Sequence, residues 1–465
     1  MRGTCGGRQT NRAVAARLGS MYRTLLLVAG IAGCAISAHE PDDAPAEYGR
    51  RYISIGTDAL GTARAVAAQH GALFDDVDTE NDIAVIAFDA EDLEALSEQM
   101  HEQHDRCGGF ILHDSLEEAR AALHPPRVTE VAIDYTLNQA SAVNAVLPAL
   151  QAERILGTIG ELSAMQNRYY QSASGAAAST WLRDRWRSFT TRTDVTVELF
   201  DHGYAQHSVI LTIPGTTLAN EVVVIGGHLD SIATGGTASN APGADDDASG
   251  IATLTEITRV LLAKDFRPAR TIKVMAYAAE EVGLRGSQGV VRDFVKRGVN
   301  VVGVLQLDMT NYQGSDKDIW LMKDFTSAAQ NTFLTQLIDT YVGATWGLDA
   351  CGYACSDHAS WYRAGVPASM PFESRMKQRN RSIHTREDTL ERSGNNAAHA
   401  LKFARLGAAF ALELGKGELG DPTAATLTAS AGETPPRTYL LLGLLLAAAF
   451  AGVTLAGRAV LNSRW

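Results

Sequence analysis

Cysteine is scarce in this chain. Five occur in 465 residues, at positions 5, 34, 107, 351 and 355, which is no disulfide-held scaffold. Positive charge is also in deficit. Against 53 Asp and Glu stand 41 Lys and Arg, a formal net charge of −12. That balance argues against a nucleic-acid partner and suits a soluble surface of the exported kind. No internal repeat is apparent. Composition is otherwise that of a globular protein, and the length accommodates a large domain with accessories.

One stretch lacks charge altogether. "YLLLGLLLAAAFAGVTLAG", residues 439–457, is wholly uncharged and is followed by Arg458 and Arg464. A bilayer-spanning helix needs roughly 20 apolar residues, and basic residues behind it would hold the tail, 458–465, in the cytoplasm. Residues 419–438, rich in Gly, Pro, Thr and Ala, read as a flexible linker. At the other end, "MYRTLLLVAGIAGCAISA" opens at Met21 with Arg23 and closes on small residues. This pattern marks 1–38 as a signal region, with the start at Met21 and residues 1–20 an upstream extension. "IAGC" resembles a lipobox that would place a lipid on Cys34, whereas "AISA" would be cut before His39; both readings stand. Export and a membrane tether at the C-terminus are therefore expected.

Two folded parts lie between the ends. In 39–127, short apolar runs ("RYISIG", "DIAVIAF", "GGFILH") alternate with helical patterns ("DALGTARAVAAQHG", "DAEDLEALSEQMHEQH", "SLEEARAALH"). A small α/β unit is expected there, with "PPR" at 125–127 ending it. The larger part, 128–418, contains three near-continuous apolar runs, "EVVVIGG", "TIKVMAYAA" and "VVGVLQL". Such runs are strands buried on both faces. Helical patterns separate them. In "GIATLTEITRVLLAKDF", Ile251, Leu254, Ile257 and Leu261 share one face. The fold class expected is α/β, an open, mostly parallel (mixed) sheet with helices on both faces.

In such sheets ligands bind beyond the carboxyl ends of the strands. Here those ends run into His228, into Glu280 and Glu281, and into Asp308. "APGADDDASG" adds Asp245, Asp246 and Asp247 side by side, a costly arrangement unless a positive charge is present. A metal ion supplies it. Mixed imidazole and carboxylate donors suit zinc, with manganese or cobalt as alternatives. The number of carboxylates suggests two ions sharing one of them.

The motifs "VIGGHLDS", "APGADDDASGIA", "MAYAAEEVGLRGS", "LQLDMTNY", "CGYACSDHASW", "MPFES" and "IHTREDTL" stand in this order between residues 131 and 415. Together they resemble the secreted bacterial leucyl aminopeptidases, co-catalytic dizinc exopeptidases. The resemblance implies that His228 and Asp308 hold one zinc, that Glu281 and His384 hold the other, and that Asp246 bridges them. It implies that Asp230 accepts the ring N–H of His228. Glu280 would be the general base, taking a proton from the attacking water and returning it to the leaving amine. Asp247 would shape the turn, often around a cis peptide, and could cap the following helix. Asp245 is read as a solvated or capping residue, and Ser356, Asp357 and His358 as structural.

Cysteines four apart could form half a zinc ribbon, but no second pair exists. An exported protein favours a disulfide, and the resemblance implies one between Cys351 and Cys355. It places Tyr353 where it would hydrogen-bond the tetrahedral intermediate. Met309, Met322, Phe372, Met376 and Ile383 match the specificity pocket, so Leu and Met are the expected preference. The residues before 128 resemble a prosegment. The substrates implied are peptides with a free N-terminus, cut by a monomeric catalytic domain. Two alternatives remain at this stage. One is a dizinc carboxypeptidase or deacylase of the same fold, whose carboxylate clamp would draw on Arg375, Arg379 and Arg381. The other is a non-catalytic ectodomain.

Overall fold

The computed structural model describes residues 49–71, 74–80, 82–104, 106, 108–124, 133–233 and 238–420. The signal region with Cys34, most of the linker, and the apolar run at 439–457 lie outside the described residues. Among the described residues no helix is long and apolar enough to cross a membrane.

The N-terminal part is built from β1 (Arg50–Gly56), α1 (Leu60–His70), β2 (Asp75–Glu80), β3 (Ile83–Asp89), α2 (Leu93–His104), β4 (Phe110–His113) and α3 (Leu116–Ala121). The strands pair antiparallel in the order β2-β3-β1-β4, a split β-α-β-β-α-β arrangement. Ile53, Val66, Phe88, Leu96 and Met100 form its own core. The three apolar runs supply β1, β3 and β4. The sequence reading contains no counterpart of β2, because "DDVDTE" has no apolar alternation. It is an edge strand whose carboxylates face water, and charge is what keeps an edge from pairing further.

The larger part begins with α4 (Ala140–Val146), α5 (Ala152–Ser163), α6 (Ala173–Arg187), β5 (Thr196–Phe200) and β6 (Ser208–Ile213). It continues with β7 (Leu218–His228), α7 (Ala248–Ala263), β8 (Phe266–Pro268), β9 (Arg270–Tyr277), α8 (Arg285–Lys296) and β10 (Asn300–Gln306). After these come β11 (Ile319–Met322), α9 (Ala328–Leu337), β12 (Trp346–Asp349) and α10 (His358–Arg363). It closes with β13 (Ala368–Ser369), β14 (Pro371–Phe372), α11 (Ala398–Gly415) and β15 (Gly417–Leu419). The central sheet has the order β13-β10-β7-β9-β6-β5. The first four strands are mutually parallel, and β6 alone runs against them, pairing antiparallel with both β9 and β5, so the sheet is mixed and mostly parallel, as the sequence predicts.

The expected amphipathic helix is α7, but it is buried nearly all round. Its Ile251, Leu254, Ile257 and Leu261 belong to the main core, while α5 and α11 cover the remaining sides. Its one buried charge, Glu256, is met by Arg259 and by the backbone N–H of Gln151, which offsets the cost of desolvating it.

Backbone approach at the start of α7 is close. A Cβ on Gly227 would lie 2.7 Å from the Leu307 carbonyl oxygen, and one on Gly250 would collide with that same oxygen. Glycine there lets the α7 N-terminus sit directly on the ends of β7 and β10.

The N-terminal part rests on the larger one, and both belong to one compact unit from Ala46 onward. Phe110 lies against Gly283. Ile111 is buried with Leu284 and Ala359, and Arg292 pairs with Asp114 at 3.1 Å.

Gly250→Ala forces α7 away from β10, an overpacking cost of about 1–3 kcal/mol. The expected result is a lower urea midpoint with an unchanged slope. A midpoint equal to that of the parent would show that the helix can shift freely.

Candidate metal centre

Three parallel strands deliver their polar residues to one edge of the sheet. His228 ends β7, Glu280 and Glu281 follow β9, and Asp308 follows β10. His384 arrives from the loop before α11 with φ 57°, and Met309, next to Asp308, has φ 55°. Left-handed backbone at non-glycine residues is a local strain that gathers at functional sites.

The five residues expected to hold metal come together. Asp246 Oδ1 lies 3.0 Å from His228 Nε2, and Asp246 Oδ2 lies 3.1 Å from His384 Nε2. His228 Nε2 is 3.5 Å from Asp308 Oδ1, and His384 Nε2 is 2.7 Å from Glu281 Oε2. One carboxylate therefore faces two donor groups, His228 with Asp308 and His384 with Glu281. All five residues are buried. Neither oxygen of Glu281 accepts a hydrogen bond among the described residues, and neither does Glu280 Oε2. Buried carboxylates crowded around two imidazoles, with Glu281 and Glu280 Oε2 left without a hydrogen bond, fit a cation as their common partner.

The electrostatics of the protein atoms alone point the same way. Burial pushes Glu281 up to about 7, with the charge of Asp246 adding and His384 opposing. Burial also raises Glu280, and Glu281 adds to it. Burial would lower the His228 imidazole, but Asp308, Asp230 and Asp246 override it and raise its pKa well above the usual value. Burial would raise Asp246, yet hydrogen bonds from His228 and His384 lower it. The site has too much negative charge for its protein cations, and a bound metal reverses that imbalance.

The neighbouring carboxylates orient the ligands. Asp230 accepts the Glu280 N–H at 3.0 Å and the Glu281 N–H at 3.1 Å. The same carboxylate stands 3.4 Å from His228 Nδ1, the place expected of it. Asp247 accepts the N–H groups of His228, Gly250 and Met309 at 3.0, 2.8 and 3.1 Å. It thus caps α7 and ties the ends of β7 and β10 together. It lies near His228 and Asp308 as well, but three amides already occupy its oxygens. The Asp246–Asp247 peptide is cis.

Asp245 corrects the sequence reading. It is 2 % exposed, not solvated. Its carboxyl accepts from the Asn311 N–H and from Asn380 Nδ2 at 3.3 and 3.1 Å. Burial pushes it up to about 6, against hydrogen bonds to Glu373 and Asn380. Asp388 carries no local signal in the sequence. Its carboxylate accepts the backbone N–H groups of Asp245 and Asp246 at 3.2 and 3.1 Å. Arg168 has no sequence signal at all. It is fully buried and donates to the carbonyls of Leu229, Pro242 and Gly243 at 2.9, 2.6 and 2.9 Å. One guanidinium thus joins the two loops that carry Asp230 and the aspartate triplet.

The expected pocket residues also assemble. Met309, Met322, Phe372, Met376 and Ile383 form one buried cluster, to which the structure adds Trp320, Met370 and Cys355. Cys351 and Cys355 are disulfide-bonded. Tyr353 packs on the same cluster, with the Arg106 guanidinium 5.3 Å from its ring centre. The three arginines that a carboxylate clamp would draw on have partners of their own, one of them in this cluster. Arg375 stacks on Trp320 at 3.9 Å, while Arg379 and Arg381 donate to the carbonyls of Met376 and Lys377.

Comparison with known proteins agrees with this geometry. Residues 208–409 match the model of peptidase family M28. The chain is 38 % identical over 290 residues to leucine aminopeptidase 1 of Coccidioides posadasii, covering 59 % of this chain and 74 % of that protein. With leucine aminopeptidase 1 of Arthroderma otae the figures are 36 % over 302 residues, 62 % and 80 %. The LapA aminopeptidase of Legionella pneumophila superposes with a TM-score of 0.69 at 28 % identity, over 80 % of this chain and all of its own. LapB of the same organism gives 0.68 at 29 %, over 79 % and all of its own. These relatives, with the imidazole and carboxylate set at the strand ends, show that the chain belongs to peptidase family M28 and is a zinc metallo-aminopeptidase.

Proposed function

We propose that this protein is an exported dizinc aminopeptidase that removes hydrophobic, Leu- or Met-like residues from the N-terminus of peptides. The observation that carries the reading is Asp246, whose two oxygens face two separate imidazole–carboxylate pairs. His228 and Asp308 would hold one ion, Glu281 and His384 the other, and Asp246 would bridge them. Zinc held by these residues would supply Lewis acidity toward the scissile carbonyl and the attacking water.

The chain's own groups do the rest. Glu280 takes the proton of the attacking water and hands it to the leaving amine nitrogen. Its N–H is anchored on Asp230, so its position is tied to that of His228. The carboxylates around the ions attract the free α-amine of the substrate. Tyr353 donates its hydroxyl hydrogen to the oxyanion of the tetrahedral intermediate, held by the disulfide-closed turn in which it sits. The buried methionines with Phe372 and Ile383 receive the side chain of the first residue, and Met adapts to its shape. Residues 39–127 act as a prosegment on this reading. Export, and a C-terminal anchor, rest on the apolar runs of the sequence alone.

Three measurements test this. Asp246→Asn should lose both ions, while His384→Ala should lose one; two ions retained in Asp246→Asn would remove the bridge. Glu280→Gln should keep its metal and lose about 100- to 10,000-fold in kcat, with KM little changed; near-parental turnover would exclude it as the base. Leucine amide should be hydrolysed and its N-acetyl derivative should not. Equal cleavage of both would make the enzyme an amidase of another kind.

A further inference from the structure

We propose that His101, from the N-terminal part, is an additional metal ligand at the centre built by His384, Glu281 and Asp246. This rests on the metal reading above, and it concerns a residue to which no role has been given. The helix α2 has two faces. Leu93, Leu96 and Met100 enter the core of its own small sheet. Glu94, Ser97 and His101, spaced three and four apart, form a neighbouring polar stripe that meets the larger part.

Each member of that stripe has a defined partner. Glu94 accepts from the Tyr169 hydroxyl at 2.9 Å. Ser97 Oγ donates to the backbone carbonyl of Glu281 at 2.7 Å. One turn further on, the His101 ring lies 4.5 Å from the His384 ring, tilted by 43°. Two hydrogen bonds thus fix the helix on the backbone and surroundings of one ligand, and the next inward side chain stands against another. His384 Nε2 is itself 2.7 Å from Glu281 and 3.1 Å from Asp246. A second imidazole at this place is a nitrogen donor of the kind zinc accepts.

Arg106 completes the contact from the other side. It pairs with Asp58 at 2.6 Å and lies over the Tyr353 ring. The N-terminal part therefore touches both the ligand loop and the pocket wall. With His101 as a ligand, the N-terminal part would share the ion with the larger part. The ion itself then becomes part of the bond between the two parts.

The test uses the full chain loaded with cobalt(II), whose visible absorption reports coordination number and donor type. His101→Gln keeps a helix-compatible side chain of similar size. Its cobalt content should equal that of the parent, and its visible bands should shift in position and intensity. Ser97→Ala weakens the docking without touching the donor and should leave the bands in place. Superimposable spectra for His101→Gln and parent, at equal cobalt content, would overturn the proposal. A shift of the same size in Ser97→Ala would overturn it too, since loosened docking alone would then account for the change. A parent chain that takes up no cobalt and no zinc would remove the metal reading, and this one with it.

Discussion

Buried negative charge is the constraint around which this molecule is arranged. Asp230, Asp245, Asp246, Asp247, Glu280, Glu281 and Asp308 are each at most 4 % exposed and occupy one edge of one sheet. Carboxylates taken out of water are costly unless each finds a donor or a cation. The structure supplies donors first. Backbone N–H groups of His228, Gly250, Met309, Glu280 and Glu281 are spent on Asp247 and Asp230. Arg168 braces the same loops by their carbonyls. Imidazoles approach oxygens of Asp246, Glu281 and Asp308, and these carboxylates mark the place that a cation would take.

The sheet makes this concentration of charge possible. Parallel strands end on the same side, and the turns after β7, β9 and β10 point the same way. The glycines at 227 and 250 let the start of α7 reach the ends of two strands at once. Asp247 then serves as helix cap and as a clamp between strands. Its neighbour Asp246 is delivered to the centre between the two histidines. Small residues, a cap and a strand end cooperate to place one carboxylate.

Much of this was legible in the chain. The strands and the residues at their ends lie in short segments whose pattern is local, whereas the five pocket residues are implied by the family resemblance. Asp247 was readable as a cap because Ala-Ser-Gly follows it. Asp245, Asp388, Glu373 and Arg168 were misread or missed for one physical reason. Their partners are distant in sequence, so nothing in the flanking residues separates a buried polar group from a solvated one. The strand Asp75–Glu80 was hidden because an exposed edge has no need of apolar alternation. His101 reads as an ordinary helix residue until the fold brings it beside position 384.

The scarcity of cysteine takes on a different meaning in terms of chain connectivity. The disulfide at 351 and 355 closes a very small loop and restrains little of the unfolded chain. Cations held as proposed would tie together His228, Asp246 and Asp308 on one side and Asp246, Glu281 and His384 on the other, positions that the fold already gathers from 228 to 384. Loop-closure entropy grows only slowly with length, about 0.6 kcal/mol per doubling, so one ion restrains a long span as effectively as a long-range crosslink would. Unlike a covalent bond, that crosslink follows mass action. A folded chain that binds metal gains stability with the free concentration of that metal, and an enzyme of this design is only as durable as the metal supply around it.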